Sequence, residues 1–269
     1  MHESTLWQKL AAEFLGTGLL VLFGAGSVTA TFTLIPSGKA PPSEADFGII
    51  GLAFAIIIAV MVYTVGRISG AHINPAVTIG LAVRGHIDWM TSLWYIVAQL
   101  VGALVGAFCI AVVFGGHAAT SGILGVTTYN TAVTSPWQAL AAEGLGTFVL
   151  VFAVYGLAVD KKAPIGWAGL IIGLAVGGAI MVIGPVTGGS LNPARTFGPM
   201  FVQVWLGGPS FVNEFWVYVI GPILGSVAAA FAYGALVSPR EVPTAIPAGE
   251  KTTERPPATG TERPAATGN

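Results

Sequence analysis

The residues with the clearest capacity for chemistry are two copies of the tripeptide Asn-Pro-Ala. They consist of Asn74, Pro75 and Ala76 and of Asn192, Pro193 and Ala194. Proline is tolerated best at the first position of a helix, and asparagine is favoured just before it, where its side chain caps the first turn. Each copy therefore predicts the start of a helix, beside an amide that can donate hydrogen bonds. One tripeptide can occur by chance, but chance is a poor explanation for two at matched positions.

The composition of the chain is that of a membrane protein. Hydrophobic residues make up 54% of the 269 residues and charged residues only 9%, whereas soluble domains carry about 25% charged residues. Because so few charges cannot cover a water-facing surface, most of the outer surface must face lipid. The formal net charge of −1 gives no electrostatic basis for binding nucleic acid. The single cysteine, Cys109, excludes a disulfide framework within the chain and a multi-cysteine metal site.

Six apolar runs are long enough to cross a membrane as helices, which takes about 20 residues. They cover residues 7–34, 47–65, 89–114, 136–159, 165–183 and 211–237. Two shorter apolar runs, 75–83 and 193–205, begin with the prolines of the tripeptides. Non-helical backbone survives at membrane depth only where it is buried in protein or lines a wet cavity. The predicted fold is therefore an all-α membrane protein with six transmembrane helices and two re-entrant half-helices beside a pore.

The two halves of the chain repeat each other. Three short blocks recur in the same order, beginning at Ala12, Gly70 and Tyr95 and again at Ala142, Gly188 and Tyr218. Each half holds three spans, an odd number, so the second half enters the membrane from the opposite face and the repeat is inverted. We predict a channel domain over residues 1–237, with repeats at about 7–114 and 136–237. The tail at 238–269 is rich in Pro, Thr and Glu, and we expect it to be disordered and cytoplasmic.

An inverted repeat brings the two half-helices together from opposite sides of the membrane. Their N-termini, each with roughly half a positive charge, then face one point, where the amides of Asn74 and Asn192 converge. A water there offers its oxygen to both amides, so its hydrogens point up and down the pore and proton transfer along the pore is interrupted. Cations meet a positive barrier at the same point. The motifs therefore predict a passive channel that excludes protons and ions.

The segments around the motifs resemble those of the major intrinsic protein family, the aquaporins and aquaglyceroporins. The resemblance rests on residues 69–78 and 192–199 and extends over about residues 10–237. Electrostatic exclusion of the kind just described is the general account of selectivity for aquaporin-type pores. The resemblance implies a right-handed bundle of six spans and two half-helices, assembled as a homotetramer with one pore in each subunit.

The resemblance also locates the selectivity filter of the family. It implies Phe54 on the second span, Ile180 on the fifth, Gly189 in the second re-entrant loop and Arg195 directly after the second motif. An arginine at membrane depth costs several kcal/mol unless it is paired or faces water. Its guanidinium donates to a passing water and repels cations. Without the resemblance, an ordinary core or lipid-facing aromatic residue would be the better interpretation of Phe54.

The filter residues make this chain intermediate between water and glycerol channels. Strict water channels of the family usually carry His at the position of Ile180, and glycerol channels usually carry Gly. Archaeal-type aquaporins pair Phe and Ile with Arg, as this chain does, and we expect a wider, less polar pore in which the small Gly189 leaves additional room. Thr196 and Met200 replace the Asp and the Lys or Arg of glycerol facilitators. We predict a water channel, with weak passage of glycerol, small neutral solutes and dissolved gases as a hypothesis and a glycerol facilitator as the alternative.

Three further polar residues lie near the predicted pore. Glu13 and Glu143 occupy equivalent positions in the first and fourth spans, and we expect each to accept N–H bonds from a re-entrant loop and hold it in place. A proton-coupled transporter that uses these two carboxylates is a less favoured alternative. The resemblance places His72 beside the pore, where its protonation is one hypothesis for gating.

The expected partners are water, glycerol or other small neutral solutes, the lipid bilayer and further copies of the chain. The sequence offers no nucleophile–base pair or metal cluster, so we expect neither an enzyme nor a cofactor. Lys and Arg gather on one side of the six predicted spans, at Lys9, Arg84, Lys161, Lys162 and Arg240, and the opposite side has only Lys39 and Arg195. The positive-inside rule then places both termini in the cytoplasm of a multi-pass protein of the cell membrane.

Overall fold

The computed structural model describes residues 4–34, 42–121 and 124–237, and within these residues all regular structure is helical. Six helices are long and apolar enough to cross a membrane, which confirms the predicted fold class. The first span consists of Leu6–Leu20, the π-helical turn Val21–Ala25 and Gly26–Leu34, and the others are Glu44–Ser69, Trp89–Phe114, Pro136–Val154 with the π-helical end Tyr155–Val159, Ala168–Thr187 and Phe215–Val237. The predicted disordered tail at 238–269 and Lys39 lie outside the described residues.

Two further helices are too short to cross the bilayer. The first half-helix, Pro75–Ala82, follows the second span, and the second half-helix, Pro193–Trp205, follows the fifth. At 8 and 13 residues they are about 12 and 20 Å long, against about 30 Å of hydrocarbon. Both begin at the proline that the sequence predicted. The short helix His117–Thr120 was not predicted. The 3₁₀ turn Val212–Glu214 lies within the predicted run 211–237, and the α-helix of the sixth span begins after it, at Phe215.

The second span is longer than its apolar run at both ends. It begins at Glu44 because Ser43 and Asp46 form a capping box, in which the Ser43 N–H donates to Asp46 Oδ2 at 2.7 Å. It continues to Ser69, where Gly70 adopts a φ of 93° and its N–H donates to a carbonyl of the last turn at 2.8 Å. Polar residues thus complete both ends of this helix, which an apolar run cannot reveal.

The fifth span is displaced from the predicted 165–183. Gly166 has a φ of 86°, which is incompatible with a helix, so the span begins at Ala168. It passes through Pro185 and ends where Gly188, with a φ of 80°, caps Thr187. Gly188 occupies the position equivalent to Gly70 in the other half of the chain. Both glycines turn the chain from a span into a re-entrant loop by means of a left-handed backbone conformation.

Small residues allow the spans to pack closely. A Cβ atom at Gly102 would overlap the carbonyl of Phe14, and one at Gly225 would overlap the carbonyl of Gly144. The third span therefore touches the first, and the sixth touches the fourth, backbone against backbone. Such contacts are the usual basis of helix association in membranes, and here they occur at equivalent positions of the two halves.

The outer face of the helical bundle is apolar. On the second span Ile49, Leu52, Ile56 and Val60 are all exposed, and their spacing of three or four residues places them on one side of the helix. An apolar stripe of this kind suits a lipid environment.

Candidate pore and its constriction

The two capping asparagines, Asn74 and Asn192, hold each other's loops. Each side-chain oxygen accepts the backbone N–H two residues further on, at 2.8 and 3.0 Å. The amide nitrogen of Asn74 donates to the carbonyl of Leu191 at 2.9 Å, and that of Asn192 donates to the carbonyl of Ile73 at 2.9 Å. Because a side-chain amide carries two hydrogens, each asparagine retains one for a molecule in the pore.

The residue before each asparagine has an unusual backbone conformation. Ile73 has a φ of 42° and Leu191 a φ of 57°, a region that costs non-glycine residues on the order of 1–3 kcal/mol. The N–H of Ile73 donates to Glu13 at 2.7 Å, and that of Leu191 donates to Glu143 at 2.7 Å. Hydrogen bonds to a carboxylate are stronger than neutral ones, so the two glutamates stabilise the strained loops.

Glu13 is fully buried in the first span and accepts four hydrogen bonds. Its Oε1 accepts the Ser69 hydroxyl at 2.6 Å and the His72 N–H at 2.9 Å. Its Oε2 accepts the Ile73 N–H at 2.7 Å and Gln99 Nε2 at 2.8 Å. A buried carboxylate requires such partners. These bonds tie the first re-entrant loop to the first and third spans.

Glu143 forms the equivalent arrangement in the fourth span. Its Oε1 accepts the Thr187 hydroxyl at 2.7 Å and the Ser190 N–H at 2.9 Å, and its Oε2 accepts the Leu191 N–H at 2.7 Å. No amide equivalent to Gln99 reaches Glu143, because the matching position is a proline. Instead the guanidinium of Arg195 is near enough to interact electrostatically with this carboxylate.

Two further pairs of residues support the loops and were missed in the sequence. Ser69 and Thr187 end the second and fifth spans, and each hydroxyl also accepts the N–H two residues further on, at 3.1 and 3.2 Å. Tyr95 and Tyr218 donate their hydroxyls to the carbonyls of Ser69 and Thr187 at 2.9 and 2.8 Å. Both tyrosines begin the third recurring block, so a position-by-position comparison of the two halves could have found them.

Phe54 and Arg195 lie together and both line the same cavity. Both are almost completely buried, and the guanidinium carbon of Arg195 is 5.1 Å from the centroid of the Phe54 ring. Nη1 of Arg195 donates to the carbonyl of Gly125, and its Nε has no hydrogen-bond partner among the described residues. The guanidinium is therefore fixed at one side and keeps a donor for a small polar molecule.

Ile180 and Gly189 also lie in contact with each other. A Cβ atom at Gly189, whose φ is 60°, would be 3.2 Å from both Cα and Cγ1 of Ile180. We expected the absence of a side chain at Gly189 to leave additional room in the pore. The side-chain direction of Gly189 points at Ile180, so the missing side chain accommodates Ile180 instead.

A cavity of about 370 Å³ is lined by Phe54 and Arg195, by both capping asparagines and by His72 and His86. Its polar lining comes mainly from the two re-entrant loops and from Arg195. Its apolar lining comes from the spans and the first half-helix and includes Leu20, Ile58, Val77, Leu150, Val154 and Val176. The cavity can therefore hold a file of small molecules that form hydrogen bonds on one part of its surface and meet hydrocarbon on the rest.

His72 also lines the cavity. Its Nδ1 is 3.2 Å from the hydroxyl of Thr78, which also donates to the carbonyl of Asn74 at 3.1 Å and accepts Gln99 Nε2 at 3.0 Å. A hydroxyl has one hydrogen, so Thr78 can donate to the Asn74 carbonyl or to Nδ1 but not to both. When it donates to the carbonyl, Nδ1 carries the ring proton and Nε2 of the neutral ring is an acceptor. The ring also packs edge-on against Tyr95, with centroids 5.1 Å apart.

The structure thus combines two capped half-helices, two buried glutamates and a guanidinium beside a phenyl ring. A sequence profile described as "Major intrinsic protein" matches residues 1–233. The chain belongs to the major intrinsic protein family. It is accordingly a multi-pass membrane channel protein.

Similar members of the major intrinsic protein family include two archaeal proteins. The aquaporin AqpM of Methanothermobacter marburgensis is 46% identical over 245 residues, which are 87% of this chain and 99% of the relative. The probable aquaporin AqpM of Archaeoglobus fulgidus is 46% identical over 243 residues, which are 86% of this chain and 98% of the relative. The predicted resemblance to archaeal-type aquaporins is confirmed.

A solved structure in the family has the same fold. The aquaglyceroporin from Plasmodium falciparum superposes with a TM-score of 0.72 at 28% sequence identity, covering 85% of this chain and 96% of that one. The sequence relatives are thus named as aquaporins, whereas this structural neighbour is named as an aquaglyceroporin.

Proposed function

We propose that this chain is a passive water channel that excludes protons and ions and that passes glycerol and other small neutral solutes weakly. The observation that carries the proposal is the lining of the cavity. Two asparagine amides and one guanidinium provide donors along a tube whose remaining wall is largely apolar. Water can exchange its hydrogen bonds stepwise along such a tube, whereas an ion would lose its hydration shell without replacement.

The exclusion of protons follows from the free hydrogens of the two amides. Asn74 and Asn192 each use one N–H for the opposite loop and direct the other at the same water. That water accepts two bonds through its oxygen, so both of its hydrogens point along the pore and cannot relay a proton between neighbours. The half-helix N-termini and Arg195 add a positive potential that opposes cations.

Glycerol transport is the second candidate function. It is favoured by the apolar side chains of Ile58, Val154 and Val176 along the cavity, which can contact the carbon backbone of a polyol, and by an apolar Ile180 where strict water channels of the family usually carry His. The likeness to an aquaglyceroporin structure supports the same candidate. Thr196 and Met200 favour water, and the named sequence relatives are aquaporins.

The proposal includes the setting of the channel. We place one pore in each chain of a homotetramer in the cell membrane, with the channel domain at 1–237 and both termini in the cytoplasm. The distribution of Lys and Arg supports this orientation, and the apolar outer stripes of the spans are suited to lipid and to neighbouring copies. The cytoplasmic tail at 238–269 is assigned no part in conduction.

Stopped-flow light scattering on proteoliposomes tests the function. In a sucrose gradient, vesicles with the full chain should shrink much faster than empty vesicles. In a glycerol gradient, the same vesicles should re-swell only slightly faster than empty ones. A pH-sensitive dye inside the same vesicles should report no additional proton flux. Water permeability equal to that of empty vesicles would refute the proposal, and glycerol permeability as high as that of water would favour the second candidate.

A further inference from the structure

The π-helical turn Val21–Ala25 in the first span lies against the constriction. A π-helical turn inserts one extra residue into a helix and is frequently found at functional sites. Here the N–H of Gly26 donates to the carbonyl of Val21, and the Ser27 hydroxyl donates to the carbonyl of Gly24 at 2.7 Å. These bonds satisfy backbone groups that the interruption of the α-helical pattern would leave unpaired.

The ring of Phe54 rests on Gly24 of this turn. A Cβ atom at Gly24 would be 2.5, 2.7 and 2.8 Å from Cε1, Cδ1 and Cζ of Phe54, where ordinary contacts begin near 3.4 Å. The φ of Gly24 is not positive, so the position requires glycine for lack of space rather than for its backbone conformation. Gly24 therefore determines how far the ring can withdraw from the pore.

The next residue of the turn contacts the glycine that holds Arg195. The carbonyl of Ala25 lies so close to Gly125 that a Cβ atom at Gly125 would overlap it. The carbonyl of Gly125 in turn accepts Nη1 of Arg195. Consecutive residues of one turn thus contact the Phe54 ring and the glycine whose carbonyl holds Arg195, while the guanidinium carbon of Arg195 lies 5.1 Å from the centroid of the same ring.

We propose that the π-helical turn Val21–Ala25 sets the width of the constriction and that Gly24 is a specificity-determining residue, because it seats the Phe54 ring away from Arg195. The proposal rests on the proposed function as a channel for water and small neutral solutes. A methyl group at Gly24 has to displace the ring by about 1 Å to restore van der Waals contact. Phe54 lines the cavity, so we expect a ring that is pushed off Gly24 to move into the passage and narrow it.

The test compares Gly24→Ala with Gly178→Ala in proteoliposomes. Gly178 is a matched control, because it is also a helical glycine of a span and a Cβ atom there meets nothing within 4 Å. Water and glycerol permeabilities are measured on the same vesicles, so their ratio does not depend on the amount of protein incorporated. We expect Gly24→Ala to lower the glycerol-to-water ratio about threefold or more, since pore selectivity depends on diameter, and Gly178→Ala to leave it unchanged.

A second pair of variants shows whether the effect acts through Phe54. In Phe54→Val the atoms that meet the new methyl group are absent, so adding Gly24→Ala should change neither permeability. The new methyl group of Gly24→Ala collides with the Phe54 ring and can prevent the single variant from incorporating into vesicles. In that case, incorporation of the double variant Gly24→Ala with Phe54→Val supports the inference that Gly24 positions the ring, and failure of both variants overturns it.

Two further outcomes overturn the inference. One is a wild-type ratio in Gly24→Ala, and the other is an equal fall in the ratio when Phe54 is already valine. Both are distinguishable from failure of the proposed function, in which the wild-type chain itself conducts no water.

Discussion

The two re-entrant loops are built alike but are stabilised differently. In both, a buried glutamate accepts N–H bonds from the loop and a span-ending hydroxyl. In the first loop the remaining partner of Glu13 is the neutral amide of Gln99. In the second loop the charge of Glu143 has the Arg195 guanidinium nearby. The shared contacts therefore hold the loops, whereas Arg195, one of the residues that differ, carries the only guanidinium among the cavity-lining residues. We propose that this difference contributes to selectivity.

The glutamates should show the largest effect on stability. Glu143→Gln and Glu13→Gln each place an amide NH₂ group against buried N–H donors, and each unsatisfied donor costs about 1–3 kcal/mol. We expect both variants to lose several kcal/mol of stability, measured as folded yield and the midpoint of thermal unfolding in detergent. Glu44→Gln, at an exposed helix end, serves as the control.

Retention of normal thermal stability by both buried-glutamate variants would show that the shared carboxylates do not hold the loops. If the folded fraction of either variant instead conducts water normally per channel, the alternative of a proton-coupled transporter loses its support, because a transporter requires its carboxylate for every cycle.

Arg195→Val makes the second loop resemble the first, where Val77 follows the tripeptide. Removing a unit charge a few ångströms from the pore lowers the barrier to a cation by about 1–4 kcal/mol, so proton and sodium permeability should rise about tenfold or more. Dye-loaded proteoliposomes measure both fluxes. Arg84→Val removes a positive charge that lies over Phe231, outside the cavity lining, and should leave both fluxes unchanged. Equal proton and sodium fluxes in the two variants would mean that the barrier depends on the overall charge of the protein and not on the position of Arg195.

Gln99→Leu should produce a smaller loss that is confined to the first loop. The change removes a donor to Glu13 and to Thr78 and leaves Glu13 with three bonds. We expect a loss of about 1–3 kcal/mol of stability, seen as a lower midpoint of thermal unfolding than in the wild type but a higher one than in Glu13→Gln. A midpoint as low as that of Glu13→Gln would mean that the amide supplies most of the support.

The smallest effect concerns the solute and not the loops. Ile180→His places a larger polar ring beside Gly189, and we expect the glycerol-to-water permeability ratio to fall by about two- to fivefold. Ile180→Leu conserves volume and is the control, with an expected ratio close to that of the wild type. A ratio that rises in Ile180→His would show that this position does not restrict glycerol.

Much of the fold could be predicted because its signals are local. The half-helices begin at Pro75 and Pro193 as predicted, since a proline and the asparagine before it define a helix start without help from the rest of the chain. The ends of the second and fifth spans were wrong by up to four residues. They depend on a capping box at Ser43 and on glycines with positive φ, which lie outside the apolar runs.

The functional site also has a part that could be predicted from the sequence and a part that could not. The sequence named Phe54, His72, Asn74, Asn192 and Arg195, which line the cavity. It did not reveal the bonds between Asn74 and Leu191 or between Asn192 and Ile73, which join positions 117 and 119 residues apart. The prediction that Gly189 opens the pore did not anticipate Ile180 in the direction of its missing side chain. No spacing in the chain reveals which side chain from another span occupies a given volume.

The sequence by itself determined that this protein is a membrane channel. The lengths of the apolar runs, the residues that start helices and the inverted repeat can all be recognised in short segments of the chain. The tertiary structure decided the dimensions of the pore. Gly24 is one of 37 glycines in the sequence, and only the packing of the first span against the second shows that it supports the Phe54 ring. Packing depends on which distant backbones meet, and that is a property of the folded chain.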